Sequence, residues 1–557
     1  MSSESPFQTA TRDAVIVLAF SVILILPIGF LGIPDNYDVM EHMRFAVSYS
    51  DALRAGHLLP VWSDLDNHGF GGAGVRLYPP LTYILMALIK SVGLSWHWTV
   101  TLTLMLGMFI GCLGVYRFVK EFYPNGYPLL AAFIYGVIPY HLFQIYQLFL
   151  FAEFMAAAFT PYVFLYGLRT FRNGRLVDAM LLALFFSLLV LTHIPSTIIL
   201  SIALTIFLAT QFTKQIDLKS LGLIAFSGAL TLALTSFYWL KVVTEVSWIK
   251  HDSKEFYDSG LYTYSVYLFP ISLSPPSFYQ IKALWLFDII IALTLLLFFF
   301  LAMLAFIKRR QLDRLSNSLF VTAAIAIFLT TLPSKPVWDG ITFLQKLQFP
   351  WRWLSISAFI ISILVAVIIA AYRSNGEKPG RTLIYSSLTL STVIGLFVIS
   401  QIVIPSAPTP SERFNQDVAD LTNTLGCNCW WPVDASAAAF DNKERLTVSG
   451  RNADIQKWAE PVRQFTVSAG EAGDVRVATF YYPYWKAVVD ERELEIKKAE
   501  DGSMLIPLSA KKAEVSITFT EPTFLHAARY VSIIAWLALI IALFISSRNY
   551  LRRSPSI

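Results

Sequence analysis

The chain has 557 residues, of which 55% are hydrophobic and only 15% charged, against roughly 25% charged in ordinary soluble domains. Apolar runs of roughly 20 residues recur along it, which excludes a soluble enzyme, a disordered chain and a nucleic-acid binder and leaves a polytopic membrane protein. The formal charge of +5 matters less than its placement, and three cysteines are too few for a disulfide framework. Cys112 lies in an apolar run and reads as inert packing. Cys427 and Cys429 offer two metal ligands without a second pair.

The first apolar run, Asp13 to Phe30, is too long for the core of a cleaved signal and lacks a small-residue cleavage site, so it reads as a spanning helix. Further spans are expected at Trp98–Phe118, Tyr127–His141, Leu148–Leu168, Leu176–Thr192, Ser196–Phe212 and Leu221–Leu240. Others follow at Leu284–Ile307, Leu319–Leu332, Trp353–Ala371, Thr382–Ile404 and Phe524–Ile545. Leu81–Val92, preceded by Tyr78-Pro79-Pro80 and interrupted by Lys90, is ambiguous.

Charge resolves it. If Leu81–Val92 does not cross, one side of the membrane carries Arg117 and Lys120; Arg169, Arg172 and Arg175; Lys214 and Lys219; Lys308, Arg309, Arg310 and Arg314; Arg373, Lys378 and Arg381; and Arg548, Arg552 and Arg553. If it crosses, every cluster after the first loop moves outside, against the positive-inside rule. The expectation is an α-helical polytopic protein of about 12 spans with both termini cytoplasmic, Leu81–Val92 being an interfacial helix. Residues 1–405 form the transmembrane domain with a large first outer loop, 32–97; residues 406–523 form an outer domain; residues 524–557 hold the last helix and a basic tail. Smaller outer loops are expected at Lys241–Lys282 and Pro333–Arg352.

The outer domain alternates polar and apolar residues in Arg445–Ser449, Val475–Tyr481, Leu494–Lys497 and Glu514–Thr520. Period two between turn residues predicts a small β-sandwich. It reads as a stability or docking module, or as a glycan-holding surface through Tyr481, Tyr482, Tyr484 and Trp485, residues that would equally suit a rim on the membrane interface. No internal repeat is visible, which counts against inverted-repeat transporters.

The densest polar constellation is Asp35, Asp38, Glu41, His42 and Arg44, just after the first span. In a helix, Asp38 shares a face with Glu41 and with His42. A cap and a first-turn acid account for one carboxylate, not for three with a histidine, so the excess favours a site. The same groups could hold a divalent cation, and a metal site stays open beside a general base. The later glycines Gly69, Gly71 and Gly72 allow close approach to a ligand or simply make turns. They are no phosphate loop, because the Gly-Lys-Ser/Thr ending is absent.

Several pieces together resemble a known family: Asp38-Val-Met-Glu-His42, Ala52-Leu53-Arg54-Ala55-Gly56, Pro60-Val61-Trp62, Asn67-His-Gly69-Phe-Gly71 and Tyr78-Pro79-Pro80-Leu81. Glu153 within Phe151-Ala-Glu-Phe, Thr192-His193-Ile194-Pro195, Gln348-Phe349-Pro350-Trp351-Arg352 and Tyr482-Pro483-Tyr484-Trp485 follow in order. They resemble the bacterial membrane proteins named 6-pyruvoyl-tetrahydropterin-synthase-related. Nothing here is similar to that soluble zinc enzyme. The family itself resembles the GT-C glycosyltransferases, membrane enzymes with an acid in the first outer loop that use polyprenyl-phosphate-linked sugars.

The resemblance implies a glycosyltransferase of the bacterial inner membrane, acting on an extracytoplasmic glycan, lipid or protein, with no certain cofactor beyond the divalent ion left open above. Asp38 matches the first-loop acid and is the expected base, with Asp35 as its alternative and Glu41 and His42 in support. Arg352, at the outer mouth of a span, suits a lipid phosphate, though an interface anchor would look the same. His193, Lys241 and Lys335 are further donor-phosphate candidates. Trp62, Arg76, Tyr78, Glu153 and Trp351 are candidates for the substrate pocket. His193 could instead support its turn, Glu153 could sit exposed at a helix end, and lone lysines at span ends are usually anchors. The rival function is a non-enzymatic transporter or scaffold for lipid-linked glycans.

A tag after Ser91 or at Asn423 is expected to report the outer side, and tags at Arg310 and the C-terminus the cytoplasm. Accessibility labelling checks this, and an outward Arg310 would invert the topology.

Overall fold

The computed structural model describes residues 6–35, 37–212, 217–252, 263–273, 281–307, 313–374, 381–403 and 408–553. Much of the predicted loop Lys241–Lys282 and the basic residues Lys214, Lys308, Arg309, Arg310 and Lys378 lie outside them. Among the described residues 7 helices are long and apolar enough to cross a membrane, or up to 9 if two bent pairs each count once. The bent pairs are Pro128–Val137 with Pro139–Tyr146, at 42°, and Leu218–Leu234 with Ser236–Trp248, at 74°. The remaining predicted spans fall on helices, Leu176–Val190, Arg314–Phe328 and Ser386–Ile402, that are shorter. By length and composition the expected dozen crossings is therefore not reached. Leu81–Ser91 is an 11-residue helix, about 16 Å long at 1.5 Å per residue and half a bilayer core.

The bundle is built around the segment Phe151–Asn173, whose apolar stretch is wholly buried. Helix Trp96–Phe122 reaches it through a face of glycines. A Cβ on Gly107 would stand 2.7 Å from Met155, and one on Gly114 2.7 Å from Tyr162. Lipid gives no hydrophobic drive for two helices to associate, so small residues that let them approach are what makes the contact favourable.

Outside the bundle, Ile33–Pro34 pairs antiparallel with Pro408–Thr409, tying the start of the first outer loop to the start of the polar insert. The loop then forms helix Tyr37–Arg54. The insert carries two antiparallel sheets. One orders Leu446–Thr447, Gly473–Phe480, Ser503–Leu508 and Lys497–Lys498; the other orders Ala453–Ala459, Val462–Val467, Ala513–Phe519, Trp485–Val489 and Arg492–Leu494. Inward residues of both, including Phe465, Val477, Met504 and Ile517, share one apolar core. The alternating runs at Val475–Tyr481 and Glu514–Thr520 are strands, whereas Leu494–Lys497 spans the gap between two short ones. Ala453–Ala459 escapes the alternation rule because it is an edge strand with nearly every residue exposed.

The insert core continues into the first loop. Trp62 is buried there, with ring centroids 5.6 Å from Tyr482 and 5.8 Å from Trp485. Tyr482, Tyr484 and Trp485 are thus buried packing residues, not a glycan-holding surface or a membrane rim. Gly71, at φ +80°, would bring a Cβ to 1.9 Å from the Trp62 indole nitrogen, so this glycine serves the packing of a tryptophan and not the approach of a ligand.

One buried ion network joins four segments. Arg76 of the first loop holds Glu245 through Nε at 2.7 Å and Nη2 at 2.8 Å. Nη2 also pairs with Glu521 at 3.0 Å. Lys241 reaches Glu521 at 2.9 Å, Arg529 reaches it at 2.6 Å, and the Tyr482 hydroxyl donates to Glu245 at 2.7 Å. Side chains of Arg76 and Glu245 are fully enclosed. Removing one partner of a buried pair leaves the others uncompensated, which costs about 3–5 kcal/mol. Arg76→Met is therefore expected to destabilise the folded protein by that order, and Arg76→Lys by less, because it keeps the charge and loses the fork. Thermal unfolding in detergent measures both; equal stability of Arg76→Met and the parent protein would refute the assignment.

Candidate active site

The acid-rich start of the first loop folds as one helix, and its side chains separate. Asp38 is solvent-exposed, yet surrounding protein desolvates its carboxylate and pushes its pKa up, the Arg352 guanidinium offsetting part of that rise. A side chain reached by water and enclosed by protein on its other sides sits in a cleft. The Tyr78 hydroxyl lies in the same cleft: burial raises its pKa, and the charges of Asp38, Arg352 and Glu153 all act on it. Asp38 and Arg352, distant in sequence, are thus within electrostatic reach of each other.

Glu41 is turned elsewhere. Its Oε2 accepts the Cys427 backbone N–H at 3.0 Å and stands 3.8 Å from Arg44. Burial, with Asp66 nearby, raises its pKa to about 8. Arg44 is buried and binds the Leu421 carbonyl at 3.0 Å and Asp66 at 3.5 Å, so this part of the cluster anchors the insert. Cys427 and Cys429 are joined by a disulfide and so offer no free thiolate to a metal. His42 is buried, its Nδ1 2.6 Å from the Tyr83 hydroxyl, and burial lowers its pKa to about 3, so it is neutral at physiological pH. Asp35 is exposed in the segment between the Ile33–Pro34 pairing and the helix.

Arg352 opens the segment Pro350–Arg373. Its Nη1 donates to the Leu347 carbonyl at 2.6 Å, its guanidinium lies 4.7 Å from the Phe349 ring centre, and its Nε stands 3.6 Å from Glu153 Oε2. Nη2 makes no hydrogen bond among the described residues. Glu153 is buried and not at an exposed helix end: its Oε1 accepts from Tyr140, from Gln144 at 3.1 Å and from Ser355 at 3.2 Å. His193 is buried beside them, within electrostatic reach of Arg352 and His42, with Nδ1 2.8 Å from Ser196 Oγ.

The other expected site residues do not join this group. Arg76 and Lys241 are consumed in the buried ion network. Lys335 is exposed and paired with Asp339 at 2.7 Å. Trp62 belongs to the insert core, and Trp351 is buried, stacked at 4.1 Å on Phe287 and 4.5 Å on Phe349. Among the described residues, no three of His, Cys, Asp and Glu gather where they could hold a metal ion; Asp38, Glu41 and His42 point to different partners. The groups that sequence reasoning missed are Tyr83, Tyr140 and Ser355. Gln144 was legible as a polar residue within a predicted span, whereas the hydroxyls of Tyr83, Tyr140 and Ser355 are unremarked until a buried partner faces them.

The sequence model of the family described as "6-pyruvoyl-tetrahydropterin synthase related domain; membrane protein" matches residues 75–408. That is well over half of the chain, and the protein belongs to this family. The match includes Tyr78, Glu153, His193 and Arg352, while Asp38 precedes it. Solved structures to which the chain is similar include arabinofuranosyltransferase AftD from Mycobacteria, with TM-score 0.45 and 16% identity over 72% of this chain and 27% of that one. Arabinosyltransferase EmbB from Mycobacterium smegmatis has TM-score 0.38 and 12% identity over 93% of this chain and 64% of that one. ArnT from Cupriavidus metallidurans has TM-score 0.28 and 11% identity over 65% of this chain and 77% of its own. The chain thus spans about a quarter of AftD, at 27%, and less than two thirds of EmbB, at 64%. A comparison with curated proteins finds no match.

Proposed function

We propose that the protein is a membrane glycosyltransferase that moves a sugar from a polyprenyl-phosphate-linked donor to an extracytoplasmic glycan, lipid or protein. The observation that carries this reading is a water-accessible carboxylate, Asp38, within electrostatic reach of an arginine whose Nη2 makes no hydrogen bond among the described residues. In the proposed reaction Asp38 takes the proton of the acceptor hydroxyl. The acceptor oxygen attacks the anomeric carbon, and the bond from that carbon to the phosphate oxygen breaks, its electron pair leaving with the phosphate. Arg352 stabilises the phosphate through a charge-assisted hydrogen bond. His193, neutral in its buried setting, and the Tyr78 hydroxyl supply further polar contacts. Both termini are cytoplasmic in this reading, the cleft faces outward, and the three short helices complete about 12 crossings around an outer β-sandwich.

Asp38→Asn keeps the shape and removes the proton acceptor, so transfer from a defined lipid-linked sugar is expected to fall by about 10²–10⁴-fold while the protein still inserts. Asp35→Asn is expected to leave the rate within a fewfold of the parent. Because the Asp38 pKa is raised above 3.8, the parent rate should climb with pH through a limb higher than an exposed aspartate would set, the base being active only when ionised. An active Asp38→Asn beside an inactive Asp35→Asn would move the base to Asp35; activity in both would end the first-loop model.

Arg352→Ala is expected to weaken use of the donor more than Arg352→Lys, which retains charge without the planar fork. Steady-state kinetics against donor concentration tests this. Parent activity in both would make Arg352 an interface anchor.

A further inference from the structure

Gln348 stands at φ +65°, in the left-handed region that a long side chain rarely adopts. The Phe349 N–H closes onto the Leu347 carbonyl at 2.7 Å, making a three-residue turn with Gln348 at its centre, and such a turn is strained when the central φ is positive. Packing holds it there. Phe349 has extended backbone, as residues before proline do, and its ring lies 4.5 Å from Trp351 and 5.1 Å from Tyr267. The same Leu347 carbonyl accepts Arg352 Nη1 at 2.6 Å, so the turn also seats the guanidinium. That seating is a backbone contact and asks nothing of the Gln348 side chain; a glycine would make the turn without strain. Yet a glutamine occupies it, only 7% exposed, and its amide makes no hydrogen bond among the described residues. Nor is the amide fully enclosed. A nearly buried amide without a protein partner, on backbone strained to place it, marks a position where a ligand completes the hydrogen bonds.

We propose that Gln348 is a specificity-determining residue of the transfer, its amide recognising a hydroxyl of the donor sugar beside the phosphate held by Arg352. An amide offers both a donor and an acceptor, and a sugar hydroxyl offers both in return. A phosphodiester only accepts, and would leave the amide oxygen without a partner. The Leu347 carbonyl ties the residue that bears the amide to the guanidinium, so the two groups serve adjoining parts of one donor. The proposal rests on the reading of Arg352 as the ligand of the donor phosphate and adds the residue that recognises the sugar.

Binding is measured by calorimetry on the full chain in lipid nanodiscs. The probes are farnesyl methyl phosphate, a diester without a sugar, and the mannosyl, glucosyl and arabinosyl diesters of farnesyl phosphate, which carry the same single charge. The parent protein is expected to bind at least one glycosyl diester about tenfold or more tightly than the methyl diester. Gln348→Gly keeps the turn and removes the amide. It is expected to lose that preference while binding the methyl diester as the parent does. Gln348→Asn also suits the turn and draws the amide back by one methylene, so most of the preference should go with it. A structural role alone would weaken methyl and glycosyl diesters together. An equal loss for both in Gln348→Gly, or an undiminished preference, therefore overturns the proposal and leaves the Arg352 site standing, as does a parent that prefers no glycosyl diester. Failure of the parent to bind the methyl diester, or parent-like binding of it by Arg352→Ala, overturns the phosphate site itself. If Gln348→Gly fails to insert, Gln348→Asn decides by the same ratio.

Discussion

The fork of Arg76 on Glu245 is the interaction on which the seating of the β-rich insert depends. It lies where the first loop, the bent helix ending at Glu245, the β-rich insert and the last helix meet. Three cations, Arg76, Lys241 and Arg529, surround two carboxylates, Glu245 and Glu521. Neither Arg76 nor Glu245 can leave without stranding its fully enclosed partner away from water. The short helix that carries Arg76, Gly74–Leu77, runs directly into Tyr78 at the cleft. Thus the network that seats the insert also sets where one wall of the cleft stands.

The insert reaches toward the acid helix by a second route. The Cys427–Trp430 turn gives Glu41 its backbone partner, while Trp430 stands 5.8 Å from Tyr78 and 5.9 Å from Phe45. Gly74 packs against the same indole, where a Cβ would meet it at 2.8 Å. The β-rich insert is thereby a structural part of the cleft's surroundings. Its aromatic residues Tyr482, Tyr484 and Trp485, exposed in no sense that a sugar could use, act as the glue of the junction.

Within the helical bundle the same rule of paired charge recurs in a different form. Glu153 and Arg352 approach from separate helical segments, and neutral donors from Tyr140, Gln144 and Ser355 complete the carboxylate's shell. Close helix contact is what allows this. The buried segment that bears Glu153 is also the one against which the glycine face of Trp96–Phe122 packs. Polar groups that would be costly in lipid are thus satisfied by protein.

Apolar runs and the composition change near residue 405 were sufficient to indicate a polytopic membrane chain with a β-rich insert, because transfer free energy and period-two alternation act locally along the sequence. The short helix at Leu81–Ser91 and the crowding of titratable groups after the first span were legible for the same reason. What each of those groups does was not. Asp38, Glu41 and His42 sit within five positions, yet one faces the cleft, one the insert and one a tyrosine. Likewise Arg76, Lys241 and Arg352 look alike in sequence, each a cation on the outer side. Only the tertiary structure decided that the first two are paired within the buried ion network while the Nη2 of the third makes no hydrogen bond among the described residues, because a side chain's charge is set by the partners that distant segments bring to it.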